Sequence, residues 1–218
     1  MSTPVLVVLA VAALFGGAIY VAVQMERKRT EAMLATCQAM GFTFEEKGDV
    51  DALCSWADLP VFGRGHSKRA KNVMTGRTAE RDVKVLDYQY TVGGGKNSHT
   101  YSQTLALFPG GGPGVPDFSL EPENFLHKIG EVFGYQDIDF DSNPEFSGAY
   151  LLRGPDEAAI RTAITSDIQG YFAQQPGWHV EVRSGNVGIY RSGKRCKPEE
   201  TPAFLAEALG VLRAVTHS

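Results

Sequence analysis

Cysteine is scarce in this sequence and never paired by spacing. Cys37, Cys54 and Cys196 lie far apart, and no CxxC or Cys/His pattern accompanies them. That argues against a disulfide framework and a structural zinc site, and it fits a reducing compartment. A strong charge of one sign is lacking too. Lys and Arg number 21 against 25 Asp and Glu, a formal net charge of −4, which sets nucleic acid aside as a partner. There is no GxSxG nucleophile elbow, and Cys54 has no recognisable setting for a thiolate. Gly93-Gly94-Gly95-Lys96 falls short of a phosphate loop: GxxxxGK[ST] requires Gly where Tyr90 stands and Ser or Thr where Asn97 stands. No cofactor is therefore expected. Past the first 23 residues, no apolar run approaches the 18 residues of a membrane span.

The amino-terminal run is the exception. Residues 4–23 carry no charge, and as a helix they extend roughly 30 Å, the depth of a bilayer core. Arg27-Lys28-Arg29 follows directly, and no Lys or Arg precedes the run. This pattern predicts an uncleaved single-pass anchor over residues 1–24, with the amino terminus outside and the remaining chain cytoplasmic. A cleaved secretory signal is the rival reading. Residues 25–41 then read as a juxtamembrane helix with an apolar stripe of Leu34, Cys37 and Met40, capped by Gly41.

The stretch over residues 82–108 organises the rest. Two runs rich in β-branched and aromatic residues, 83–92 and 100–108, flank a Gly/Asn/Ser cluster, the signature of a long hairpin. The face carrying Lys84, Leu86, Tyr88, Tyr90 and Val92 is the more apolar and is expected to pack on the core. Residues 42–44 and 59–62 read as short strands, and two more are expected between Val61 and Lys96. The loop at 109–116, PGGGPGVP, is the expected boundary between a β-rich unit (42–108) and an α+β unit (117–218). In the second unit we expect a helix at 123–133, a strand at 147–153 and a helix opened by Pro155. A second hairpin (178–182 with 187–190) and a carboxyl-terminal helix (201–215) follow. The fold class is α+β, an antiparallel sheet with flanking helices and possible division into two subdomains.

Charge is segregated along the chain. From Val61 to Lys96 there are eight basic residues to three acidic, and from Asp117 to Glu157 ten acidic to two basic. The two blocks either neutralise each other or leave a basic surface over Arg64, His66, Lys68, Arg69, Lys71 and Lys96, suited to lipid or a partner. Asp137, Asp139 and Asp141 alternate as on a strand face. An EF-hand would need Gly at Ser142 and Glu at Gly148, so a solvated edge with Ile138 and Phe140 inward is the simpler reading and no metal is expected.

At residues 63–76 (GRGHSKRAKNVMTG), 87–104 (DYQYTVGGGKNSHTYSQT) and 128–140 (KIGEVFGYQDIDF), the chain resembles a group of uncharacterised bacterial proteins. In these, a membrane segment precedes a domain of unknown function. The resemblance implies a membrane-anchored protein and brings no catalytic residue with it. Two function classes remain. One is a non-catalytic interaction or scaffold module whose partners are the bilayer and a protein or second copy. The other is an enzyme on a membrane-associated substrate, using His66 or the Asp137–Asp141 carboxylates, with a lipid or small-ligand sensor as a variant.

Overall fold

The computed structural model describes residues 3–123 and 136–216, the side chains of residues 3 and 5–11 excepted. It is an α+β fold built on one antiparallel sheet. In chain order the elements are α1 (Thr3–Ala39), β1 (Thr43–Gly48), α2 (Val50–Ala57), α3 (Pro60–Gly63), β2 (His66–Arg77), β3 (Asp82–Val92) and β4 (His99–Phe108). Then come β5 (Phe118–Pro122), α4 (Pro144–Ala149), β6 (Tyr150–Arg153), α5 (Glu157–Ala163), α6 (Ser166–Gln174), β7 (His179–Arg183), β8 (Asn186–Tyr190) and α7 (Thr201–Thr216). The strands lie in the order β1-β2-β3-β4-β8-β7-β5-β6.

Both expected hairpins form. Val92 pairs with His99 at the end of the first, and Arg183 with Asn186 in the second, where Ser184 and Gly185 both take positive φ as a tight turn demands. The boundary at 109–116 does not separate two sheets. β4 from the first half pairs with β8 from the second over Leu105–Tyr190 to Phe108–Val187, so a single sheet crosses it.

The sheet is covered on both faces, which corrects the expectation of one apolar face on the 82–92 strand. Val83 and Val85 join a cluster under α1, α4, α5, α6 and α7, while Leu86, Tyr88 and Tyr90 join a second cluster under α2 and α3. Each fully buried aliphatic or aromatic side chain contributes about 1.5–3 kcal/mol, so neither layer is dispensable. Three local expectations are revised. The region around 59–62 is a helical turn, because Pro60 supplies the φ of a first helical position. β2 is one long strand, bent at Asn72, whose φ is +52. The strand at 147–153 is preceded by α4 and shortened to 150–153. The helix expected at 123–133 lies almost wholly outside the described residues.

α1 is continuous from Thr3 to Ala39, about 55 Å of helix with no break where an anchor would meet its juxtamembrane segment. Its buried stripe is Met33 and Cys37, each 0% exposed; Leu34, expected there, is 38% exposed. Among the described residues, no helix is long and apolar enough to cross a membrane. The apolar run at 4–23 includes residues 5–11, whose side chains lie outside that description.

Candidate functional site

Two arrangements bring distant charged residues together, one on each face of the sheet. The first fixes α1. Asp87 on β3 is buried, and its carboxylate accepts four hydrogen bonds. Arg29 donates from Nε at 2.8 Å and Nη2 at 2.7 Å, Asn72 from Nδ2 at 2.9 Å and Thr104 from Oγ1 at 3.1 Å. The two arginine bonds form a bidentate fork, the strongest and most directional ion-pair geometry available. The bend at Asn72 brings its amide to the Asp87 carboxylate. One helical turn nearer the amino terminus, Glu26 takes 2.8 Å and 3.9 Å contacts from Arg195 and Lys71. At the other end, Phe42 lies over Gly76, where a Cβ would meet its ring at 2.2 Å. Contacts thus advance along β2 from Gly76 to Lys71 as α1 is followed toward its amino terminus.

Residues 12–23 of that helix are uncharged and solvent-facing. Leu14 is 75% exposed, Phe15 69%, Ile19 65%, Tyr20 65% and Val23 57%. An exposed run of this kind marks a membrane or protein contact. Between α1 and the β1–β2 edge lies an open groove of about 780 Å³ lined by Ala22, Val23, Leu34 and Phe44, by Arg27, Arg69 and Lys71, and by Glu26, Glu31 and Glu46.

The second arrangement lies under α3. Arg64 is drawn inward, its side chain 11% exposed, and pairs with Glu121 of β5 and, at 3.2 Å, with Glu181 of β7. Glu181 is fully enclosed and also accepts from the Tyr190 hydroxyl at 2.8 Å and from the Val61 N–H at 2.9 Å. One guanidinium therefore serves two buried carboxylates. Burial pushes the Glu181 carboxyl up, the Arg64 charge opposes this, and the Glu121 charge adds to it. Burial likewise pushes the Tyr90 hydroxyl up to about 12 against the pull of Arg64. His179 stacks on Tyr190 with ring centroids 4.7 Å apart, and burial and then the Arg64 charge hold its imidazole well below 6.5. The arrangement is a closed clamp that fixes α3 to the sheet through Val61 and Arg64.

A pH dependence results. His179 stays neutral in the folded chain but takes a proton below about pH 6.5 once unfolded, so stability is full above that value and falls as pH drops through it. Glu181 acts oppositely, binding its proton more readily when folded, and partly offsets the loss. Thermal unfolding scans across this range should show a falling acid limb that His179→Phe flattens. An unchanged limb in that variant would contradict the assignment.

The residues singled out in the sequence fall into two groups. Arg64 is withdrawn from the surface and neutralised by the acidic block, as one of the two readings of the charge segregation expected. Arg69 and Lys96 are exposed, Lys71 is half-buried, and Lys68 donates to the Phe62 carbonyl. His66 is exposed at the start of β2, bonded to Ser67 Oγ and the Gly93 carbonyl, each at 2.9 Å. Asp137 instead seals the β6 edge: its Oδ1 accepts the Leu152 N–H at 2.9 Å, and Ile138 N–H donates to the Leu152 carbonyl. β2 and β6 stand six strand spacings apart, about 29 Å along the sheet, so His66 and Asp137 form no acid–base pair. Ile138 is 4% exposed, as the solvated-edge reading requires. Glu121, Glu181, His179 and Tyr190 were not singled out. The one available signal was the strand His179-Val180-Glu181-Val182-Arg183, whose polar face turns out to be buried.

No family model matches the chain, and no curated protein matches it in sequence. Among solved structures, the crystal structure of the mycobacterial trehalose monomycolate transport factor A, TtfA, is similar with a TM-score of 0.60. The likeness covers 88% of this chain and 94% of that one at 14% sequence identity. At that identity the likeness shows the fold alone.

Proposed function

We propose that this chain is a membrane-anchored, non-catalytic accessory module, whose domain sits on the cytoplasmic face of a bacterial inner membrane and serves a partner protein there. The observation that carries the reading is the division of α1. Residues 12–23 present apolar side chains to solvent on every side of the helix, and its carboxyl-terminal half is bolted to the sheet through Arg29 and Asp87. A helix so arranged transmits position from a bilayer to a folded domain. Arg27-Lys28-Arg29 at the foot of the apolar run favours retention of that side in the cytoplasm. His66 and the Asp137 edge stand too far apart to act as one acid–base pair. The fold's likeness to a transport factor is in keeping with an accessory role, as is the resemblance to bacterial membrane-anchored proteins.

The test is topological. The chain should stay in the membrane pellet through alkaline extraction, and a reporter enzyme active only in the periplasm, fused after Ser218, should remain silent. Ile19→Lys with Leu14→Lys should release it to the soluble fraction. Strong reporter signal, or a native chain already soluble, overturns the proposal.

A further inference from the structure

We propose that the basic face at the foot of α1 seats anionic phospholipid headgroups, so that the domain lies against the leaflet holding its helix. The inference rests on the membrane reading above and names the surface that meets the lipid.

Three observations carry it. First, the cations cluster where the apolar run ends. Arg27 and Lys28 are on α1 itself, Arg69 and Lys71 are on β2, and Lys194 and Arg195 follow β8. Glu26 joins Lys71 and Arg195, and a small hollow beside it is lined by Arg69, Lys71 and Arg195 with Glu26 and Asp87. Second, positive charge is in surplus there. Glu26 is shared by two cations, and Glu31 pairs with Arg27 at 3.7 Å. Lys28, Arg69 and Lys194 are exposed and have no ion pair among the described residues, against Glu46 as the groove carboxylate in the same condition. Of the basic block between residues 64 and 96, only Arg64 is neutralised by the acidic 117–157 block among the described residues. Third, the groove beside these cations is amphipathic. Its apolar lining of Ala22, Val23, Leu34 and Phe44 is continuous with the exposed apolar helix, and its polar rim carries Arg27, Arg69 and Lys71 beside Glu26, Glu31 and Glu46, the surplus coming from Lys28, Lys194 and Arg195 around it. A headgroup phosphate meets the rim, and the glycerol and first methylenes meet the lining. The helix leads this face to the bilayer because its contacts run along β2 toward Arg69. Basic residues next to an anionic leaflet attract it within about a Debye length.

The experiment uses the full chain in lipid nanodiscs of phosphatidylcholine alone or with phosphatidylglycerol added. A brief pulse of amine acetylation is read lysine by lysine by mass spectrometry, with Lys84, on the opposite sheet face, as the internal reference. The proposal expects Lys28, Lys71 and Lys194 to be protected in the anionic discs alone, with protection removed by high salt. Arg69→Glu should lower the protection of Lys71 by about fivefold or more, the worth of one basic contact. Equal acetylation in both discs, with the chain still embedded, overturns the proposal and leaves the anchor reading standing. A chain recovered outside both kinds of disc overturns both. Protection in both lipids that grows with protein concentration assigns the face to a second copy and overturns the lipid proposal.

Discussion

Asp87→Ala destabilises the domain by about 3–5 kcal/mol, the cost of leaving one partner of a buried ion pair uncompensated. The side chains of Arg29 and Asp87 are 13% and 6% exposed, so solvent screens neither. The substitution also strands the Asn72 amide and the Thr104 hydroxyl, which donate to the same carboxylate. The exposed pair Arg77–Asp82, 69% and 59% exposed, is the control, and Arg77→Ala should cost at most about 1 kcal/mol. Urea unfolding of the full chain in detergent, followed by near-ultraviolet dichroism, reads both. Adding Arg29→Met to Asp87→Ala should recover much of the loss, because no unpaired charge then remains. A loss under about 1 kcal/mol for Asp87→Ala alone would show that α1 is held by Met33 and Cys37 and that the ion pair is incidental.

Arg64→Ala should be at least as damaging, and its damage should depend on pH. Removing the guanidinium leaves Glu121 and Glu181 facing each other at 6% and 0% exposure. Two buried carboxylates without a cation cannot both ionise cheaply, so Glu181, whose carboxyl is already pushed up by burial, takes a proton. The sign comes from linkage: in the variant Glu181 binds its proton more readily in the folded than in the unfolded chain, so the deficit relative to the native chain at about pH 7 shrinks on acidification toward about pH 5, even as the His179 limb lowers both. Glu181→Gln should cost less than Arg64→Ala, since its one amide oxygen can still accept from Val61 N–H while its NH2 donates to the Tyr190 hydroxyl oxygen, and Arg64 keeps Glu121 as its partner. If Arg64→Ala unfolds at the native urea concentration, or its deficit relative to the native chain grows on acidification, the clamp does not hold α3 as described.

Hairpins were the legible part of this sequence because a hairpin is a local object. The 82–108 stretch and the 179–190 pair each carry strand, turn and strand within a few tens of residues, and both formed. β2 was harder, since His66-Ser67-Lys68-Arg69 offers no apolar alternation and the bend at Asn72 shifts the face that the later residues of the strand present. The one-face expectation for β3 failed for a similar reason. Val83, Val85 and Asp87 read as the less apolar face, yet α1 and α7 cover it and Arg29 satisfies its carboxylate. The clamp could not be read at all. Arg64 lies 57 residues from Glu121 and 117 from Glu181, and only the strand order brings them into contact. The same holds for Arg29 and Asp87, 58 residues apart. Basic and acidic blocks were visible as composition, but composition does not choose which members meet. Among the described residues Arg64 alone pairs with the acidic block, and Arg69 and Lys96 are exposed.

The central claim is that α1 and the sheet move as one body, so that whatever holds the apolar half of the helix also orients the domain. The most direct measurement is the distance distribution between spin labels at positions 20 and 84 of the full chain in lipid nanodiscs. Labels carried on unnatural amino acids leave the three cysteines untouched. A single narrow distribution is expected for the native chain, broadening in Asp87→Ala. A broad distribution in the native chain would contradict the claim, placing a hinge between Tyr20 and Arg29 and reducing α1 to a flexible tether.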